Sequence, residues 1–266
     1  VDSSLTGGTM QLQAEADGTF ENIGPANEII ASYLGNSISF SLTASQIEAI
    51  TGFSEGDVIT FRAIITDLAG NATTGGDSLD TLLVDQTAPS VDAGSDQEVK
   101  VIVTQSATTS DTGSGIDVWA WTADPAVTFS SPSTEDTDIS ATPDGTYAVV
   151  LTVTDTAGNS ASDSITFVWD TTKPVVSIPV PVPTPTNDTT PSYGFSVDNV
   201  GYLFPGGGIS YAGTCGAGTL ATSSAGTNTT TYGPLTDGMY ATCTLTVTDA
   251  AGNVSDPHTV NTFEID

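Results

Sequence analysis

The chemistry available to this chain is carried by carboxylates. Its 32 acidic residues comprise 24 Asp and 8 Glu, against three basic residues (Arg62, Lys100 and Lys173), for a formal charge of -29. Asp is a poor strand and helix former but suits turns and hard-cation sites. Its positions recur. Ile65-Thr66-Asp67-Leu68-Ala69-Gly70-Asn71 returns as Val153-Thr154-Asp155-Thr156-Ala157-Gly158-Asn159 and Val247-Thr248-Asp249-Ala250-Ala251-Gly252-Asn253, at offsets of 88 and 94 residues. A second series keeps step with the first: Val84-Asp85-Gln86-Thr87-Ala88-Pro89, then Trp169-Asp170-Thr171-Thr172-Lys173-Pro174. With Val1-Asp2 and Ile265-Asp266 at the ends, Asp2, Asp85, Asp170 and Asp266 stand 83, 85 and 96 residues apart. Carboxylates that converge without Arg or Lys repel one another. Ca²⁺ resolves this with about 6–8 oxygen ligands, whereas Mg²⁺ prefers an octahedron and keeps its waters. The competing role for each turn Asp is a cap on backbone N–H groups.

The elements that must position these residues are strands. A period near 90 residues is one domain per repeat, and β-sandwich domains run near 100 residues. The expected modules are therefore 1–86, 87–171 and 172–266. Ahead of each turn the apolar residues alternate: Ile59, Phe61, Ala63 and Ile65; Tyr147, Val149, Leu151 and Val153; Ala241, Cys243, Leu245 and Val247. A period of two marks a half-buried strand. The Asp-x-Ala-Gly-Asn that follows reads as a hairpin turn, with Gly and Asn at positive φ. The next strand runs to the junction Asp, and Pro opens the following module. Only Ser45 to Ile50 suggests a short helix.

The Thr-Asp-x-Ala-Gly-Asn turn followed by Asp-x-Thr-x-Pro resembles the bacterial Ig-like domains of giant repetitive adhesins, including those of the RTX type. The middle repeat is also similar to PKD-like domains in Asp92-Ala93-Gly94-Ser95-Asp96-Gln97, Trp119-Ala120-Trp121 and Gly145-Thr146-Tyr147, although it lacks that family's Trp-Asp-Phe-Gly-Asp-Gly stretch. Pro185-Thr186-Asn187-Asp188-Thr189-Thr190-Pro191 is similar to the early loop of many bacterial Ig-like modules. The resemblance implies an all-β chain of three tandem Ig-like β-sandwich domains arranged end to end, a rod of roughly 100 Å at about 3.3 Å per strand residue. It implies a non-catalytic extender on the bacterial surface that carries a ligand-binding domain elsewhere in a longer chain. It also implies Ca²⁺ at the junctions.

Ig-like topology then places the Asp residues. If the strand before the motif is F, the Asp-x-Ala-Gly-Asn turn is the F–G loop, beside the incoming linker. The E–F loop lies beside the outgoing one. Asp57, Asp144 and Asp237 hold E–F positions. The first junction can gather Asp57, Asp85, the Thr87 region, Asp155 and Asp111 of the B–C loop. The second can gather Asp144, Asp170, Thr172 and Asp249. Asp2 and Asp67 belong to the equivalent position ahead of the first module, Asp188 to the early loop of the third, and Asp266 to the last junction.

Cys215 and Cys243 are expected to form a disulfide in an exported protein; the alternative is two buried thiols. Trp119 or Trp121 fills the role of the strand C Trp of such sandwiches. Tyr202, Phe204 and Tyr211 pack in a core or loop, or else form a small sugar-stacking patch, which would make the chain a carbohydrate- or protein-binding module of an adhesin or secreted hydrolase. The charge argues against nucleic acid and anionic lipid as partners. The longest apolar run, Val175 to Val182, is broken by Pro179 and Pro181 and cannot span a membrane. The lone His258 has no catalytic partner motif. The reading is of a monomeric, extracellular segment whose targeting signals lie outside it.

Overall fold

A computed structural model describes residues 5–34, 36–54, 56–78, 80, 82–198 and 207–266. The candidate Asp2 and the aromatic pair Tyr202 and Phe204 lie outside them. The chain is all-β, with one α-helix, Ala44–Glu48, among the described residues. That helix falls where the sequence suggested one. Its entry is a capping box, in which the Gln46 side chain accepts the Thr43 backbone N–H at 2.8 Å.

Chain contacts divide the molecule into two compact units. The first is Val1–Ser90 with Thr109–Val118 and Val153–Ala161. The second is Val91–Thr108, Trp119–Thr152 and Ser162–Asp266. In the first unit, strand Val58–Thr66 pairs antiparallel with Thr9–Glu15 on one side and Ala72–Thr74 on the other. Ala14, Ile23, Ile47, Ile50 and Ile59 form its core. The expected alternation fades here: Ile59 is fully buried, but Phe61, Ala63 and Ile65 are only half-buried. Leu42, Ile47, Ile50 and Phe53, in and around the short helix, pack on this sheet.

The middle segment shows the alternation in full. Along Gly145–Asp155, Val149, Leu151 and Val153 are buried. The sheet order is Ile116–Ala123, Gly145–Asp155, Ser160–Trp169, Gln97–Val99, and the last pair is parallel, Phe167 opposite Gln97. Of the two tryptophans considered for the core it is Trp121 that is buried, 3% exposed, its indole N–H donating to the Thr134 and Glu135 carbonyls.

The last segment packs Ser192–Val197 and Gly226–Thr231 against Gly207–Ala212 and Thr244–Thr248 around Tyr193, Phe195, Tyr232, Leu245, Val247 and Phe263. Tyr193 stacks on Phe195 at 5.8 Å, and Tyr240 on Phe263 at 5.2 Å. Cys215 and Cys243 form a disulfide with Cα atoms 5.5 Å apart, and Cys243 faces the core. Two tyrosines brace the entry to the F strands. The Tyr147 hydroxyl donates to the Pro143 carbonyl at 2.6 Å, and Tyr240 to the Thr236 carbonyl at 2.8 Å. Each reaches back four residues across an Asp-Gly turn, the tyrosine corner of Ig-type sandwiches.

Candidate metal centre

The three F–G turns share one local mechanism. Asn159 N–H donates to Asp155 Oδ1 at 2.8 Å and its side-chain amide to Oδ2 at 2.8 Å, while Gly158 takes φ +97°. The same bonds tie Asn71 to Asp67 and Asn253 to Asp249. Each Asp thus caps its own turn. At Asp67 the Asn71 side-chain bond, with the backbone bond behind it, holds the carboxyl below its ordinary pKa.

Asp155 does more than cap. The Asn159 amide also donates to the Asp85 carbonyl at 3.0 Å, fastening the turn to the linker. The B–C loop Asp111-Thr112-Gly113-Ser114-Gly115 closes the third side. Its Thr156 and Ala157 contacts run through the Gly115 carbonyl at 2.9 Å and the Ser114 hydroxyl at 3.1 Å. Asp85 Oδ2 accepts the Ser114 N–H at 2.6 Å, and Oδ1 the Thr87 N–H at 3.1 Å. Asp111 Oδ2 accepts Gly113 N–H at 3.1 Å and Gly115 N–H at 2.7 Å. The result is one carboxylate oxygen each from Asp85, Asp111 and Asp155, all within 4.8 Å of one another. Asp85 is 7% exposed and Asp155 2%. Asp111 Oδ1 is buried and has no hydrogen-bond partner. Gly113 makes this approach possible: a Cβ there would collide with the Asp85 carboxylate.

Three hard oxygens at this spacing fit a single divalent cation. Two ligands on one Ca²⁺ are separated by at most about 5 Å, given bond lengths of about 2.3–2.6 Å. Arg62, the one basic residue of this unit, lies over the Phe20 ring at 3.7 Å and bonds Gln13.

The other expected ligands are placed differently. The Asp57 loop reaches the B–C loop, Gly56 lying against Gly113, but Asp57 Oδ2 turns back to accept the Ser54 N–H at 2.6 Å. Thr87 enters through its backbone N–H. Asp144 is held by three donors, Thr171 N–H at 2.9 Å and the Thr171 and Thr172 hydroxyls at 2.8 Å each. Burial pushes its pKa up, and these bonds, led by Thr172, outweigh it and leave the carboxyl below its ordinary value. Asp170 accepts the Thr172 N–H at 2.9 Å, and Asp249 accepts both Asn253 donors. Asp188 caps Thr190 in its own loop; Asp237 and Asp266 are exposed. Among the described residues, Asp85, Asp111 and Asp155 are the one group of three or more acidic, His or Cys side chains close enough to share an ion. Tyr211, weighed for a sugar patch, spends its hydroxyl on the Leu220 carbonyl and the Thr230 hydroxyl.

Residues 93–168 match the family model of the K319L-like PKD domain. The match contains the Trp119-Ala120-Trp121 and Gly145-Thr146-Tyr147 motifs. No curated protein matches the chain. Among solved structures, a tetra-tandem repeat from the extending region of a large adhesion protein is 19% identical, covering 98% of this chain and 67% of that one, with a TM-score of 0.33. A Ca²⁺-stabilised adhesin of an Antarctic bacterium that binds ice is 18% identical, covering 100% and 67%, at 0.31. The D00–D0 domain of intimin is 12% identical, covering 67% and 99%, at 0.32. Likeness at this level assigns no residue and no role.

Proposed function

We propose that this chain is a non-catalytic extender segment of a bacterial surface adhesin, with modules at 1–86, 87–171 and 172–266, and that Ca²⁺ held by Asp85, Asp111 and Asp155 stiffens the first junction. The single observation that carries the metal is the buried Asp111 Oδ1, an acceptor without a hydrogen-bond partner on a carboxylate that stands grouped with those of Asp85 and Asp155. A buried acceptor without a partner costs about 1–3 kcal/mol, more when charged, and a cation removes that cost. The ion would bind the linker through Asp85, the B–C loop through Asp111 and the F–G turn through Asp155. Short linkers ordinarily leave hinge freedom between modules; an ion shared in this way restricts it.

The extender role is supported by the in-phase repeats, by the PKD-type match and by the disulfide, which suits an oxidising, extracellular setting. The test is calorimetric titration of the whole chain with CaCl₂, paired with glycan-array binding. We expect saturable Ca²⁺ binding that Asp155→Asn abolishes, and no glycan retained. Absence of heat and of any Ca²⁺-dependent melting shift at millimolar Ca²⁺ overturns the metal reading; specific glycan retention overturns the spacer reading.

A further inference from the structure

Both lysines of this chain bond residues of the segment 249–256. Lys100 follows strand Gln97–Val99, and the Val99 carbonyl accepts the N–H of the junction residue Asp170 at 3.0 Å. From there the Lys100 ammonium donates to the Gly252 carbonyl, in the middle of the Asp249–Asn253 turn. The Asn253 amide donates to the Asp170 carbonyl at 2.8 Å, the same tie that Asn159 makes to Asp85. Lys173 pairs with Asp256 at 3.1 Å, but both side chains are exposed, and such pairs contribute little.

The second junction thus repeats the turn-to-linker tie of the first with a different charge arrangement. None of its carboxylates is among those with a buried oxygen lacking a partner, as Asp111 is at the first: Asp144 accepts from Thr171 and Thr172, Asp170 from Thr172 and Asp249 from Asn253. An ammonium bonding a turn carbonyl is a charge-assisted hydrogen bond, roughly twice as strong as a neutral one. In a chain with three basic residues against 32 acidic ones, one of the three is spent on the carbonyl of this turn.

We propose that the second junction is closed by the protein's own cation, Lys100 holding the Asp249–Asn253 turn to the preceding strand, so that this joint is independent of calcium. The inference stands apart from the Ca²⁺ reading of the first junction. The experiment is hydrogen–deuterium exchange by mass spectrometry on the whole chain, in CaCl₂ and in EDTA, for wild type, Lys100→Met and Lys100→Arg. In the wild type, exchange in segments 170–174 and 249–253 should agree within about twofold between the two conditions. Lys100→Met should speed exchange there on the order of tenfold in both, and Lys100→Arg, which keeps the charge and donors, should restore slow exchange. Tenfold acceleration of these segments by EDTA in the wild type overturns the proposal, as does Lys100→Met exchanging like wild type. Should Lys100→Met fail to fold, the wild-type EDTA comparison alone still decides. Segments 85–87, 111–115 and 155–159 report separately on the first junction: if they ignore EDTA, the Ca²⁺ reading fails and the lysine proposal does not.

Discussion

Replacing Asp111 by Asn separates a metal ligand from a turn cap, because the two roles predict opposite signs. The side-chain oxygen that accepts from Gly113 and Gly115 survives in Asn, so the B–C loop keeps both bonds. What changes is Oδ1, the buried atom without a partner, which becomes an N–H donor. In the metal-free chain this removes two of the three repulsive pairs among oxygens no more than 4.8 Å apart. At an effective dielectric near 20, each pair costs about 3 kcal/mol before ionic screening, and screening at a partly exposed site cuts this by half or more. The variant should therefore be more stable than wild type in EDTA by about 1–3 kcal/mol, or about 5–15 °C in Tm for a domain of this size. Calcium reverses the order. At a hundredfold excess over Kd the wild type gains about 2.7 kcal/mol, and a variant with a donor aimed at the ion should gain almost none. The assay is differential scanning calorimetry of both proteins in low-salt buffer, with EDTA and with CaCl₂. A crossing of the two Tm orders is expected. If Asn lowers Tm equally in both buffers, Asp111 is only a cap and the repulsion argument fails.

Gly113→Ala puts a methyl group where the Asp85 carboxylate sits; it should abolish the calcium-dependent Tm shift while leaving Tyr147 and the middle core folded by near-UV circular dichroism, and an unchanged shift would contradict the packing. Reducing the Cys215–Cys243 bridge, whose partners are 28 residues apart, should cost about 3–4 kcal/mol on the chain-entropy model, read as a lower Tm for the third module with no change in calcium response. Burial holds the Tyr193 phenol above its ordinary pKa and pushes Tyr232 up to about 12, and both are neutral in the fold. Their stabilising contribution is whole below pH 10 and fades as pH rises toward the folded value; ultraviolet titration should show Tyr193 and Tyr232 silent near pH 10, and their reversible ionisation there in the folded state would refute it. Asp144, whose pKa is held below the ordinary carboxylate value by its Thr171 and Thr172 bonds, contributes stability that is full above that ordinary value and is lost as pH falls through its folded pKa. The denaturation difference between wild type and Asp144→Asn should be flat from pH 8 to about 5 and shrink below pH 4.

The parts of the fold legible from sequence are those fixed by near neighbours. An Asp and an Asn four residues apart, with a Gly at positive φ between them, determine each F–G turn almost alone, so three copies of the motif announce three turns. The strand alternation is equally readable at Val149, Leu151 and Val153, which are buried, and fainter at Phe61 and Ile65, which are half-buried although Phe61 still packs on the core of its unit. The sandwich topology brought Asp85, Asp111 and Asp155 to one pole but could not aim side chains. Asp57 shows the gap. Its loop arrives, yet a donor three residues away at Ser54 captures the carboxylate, a contact local enough to win over any distant partner. What sequence reasoning missed is the tie that makes the pole a joint. In the sequence Asn159 is a turn residue suited to positive φ, whereas in the fold its amide reaches the Asp85 carbonyl across 74 positions, and Asn253 reaches Asp170 across 83. The available signal was the strict pairing of the two periodic series: a turn and a linker in fixed phase through the chain are held in fixed phase for a physical reason, and an Asn with two donors can serve both at once. The same reasoning points to Lys100. In a chain this acidic, a rare cation marks a place where negative or carbonyl oxygen must be met by the protein itself.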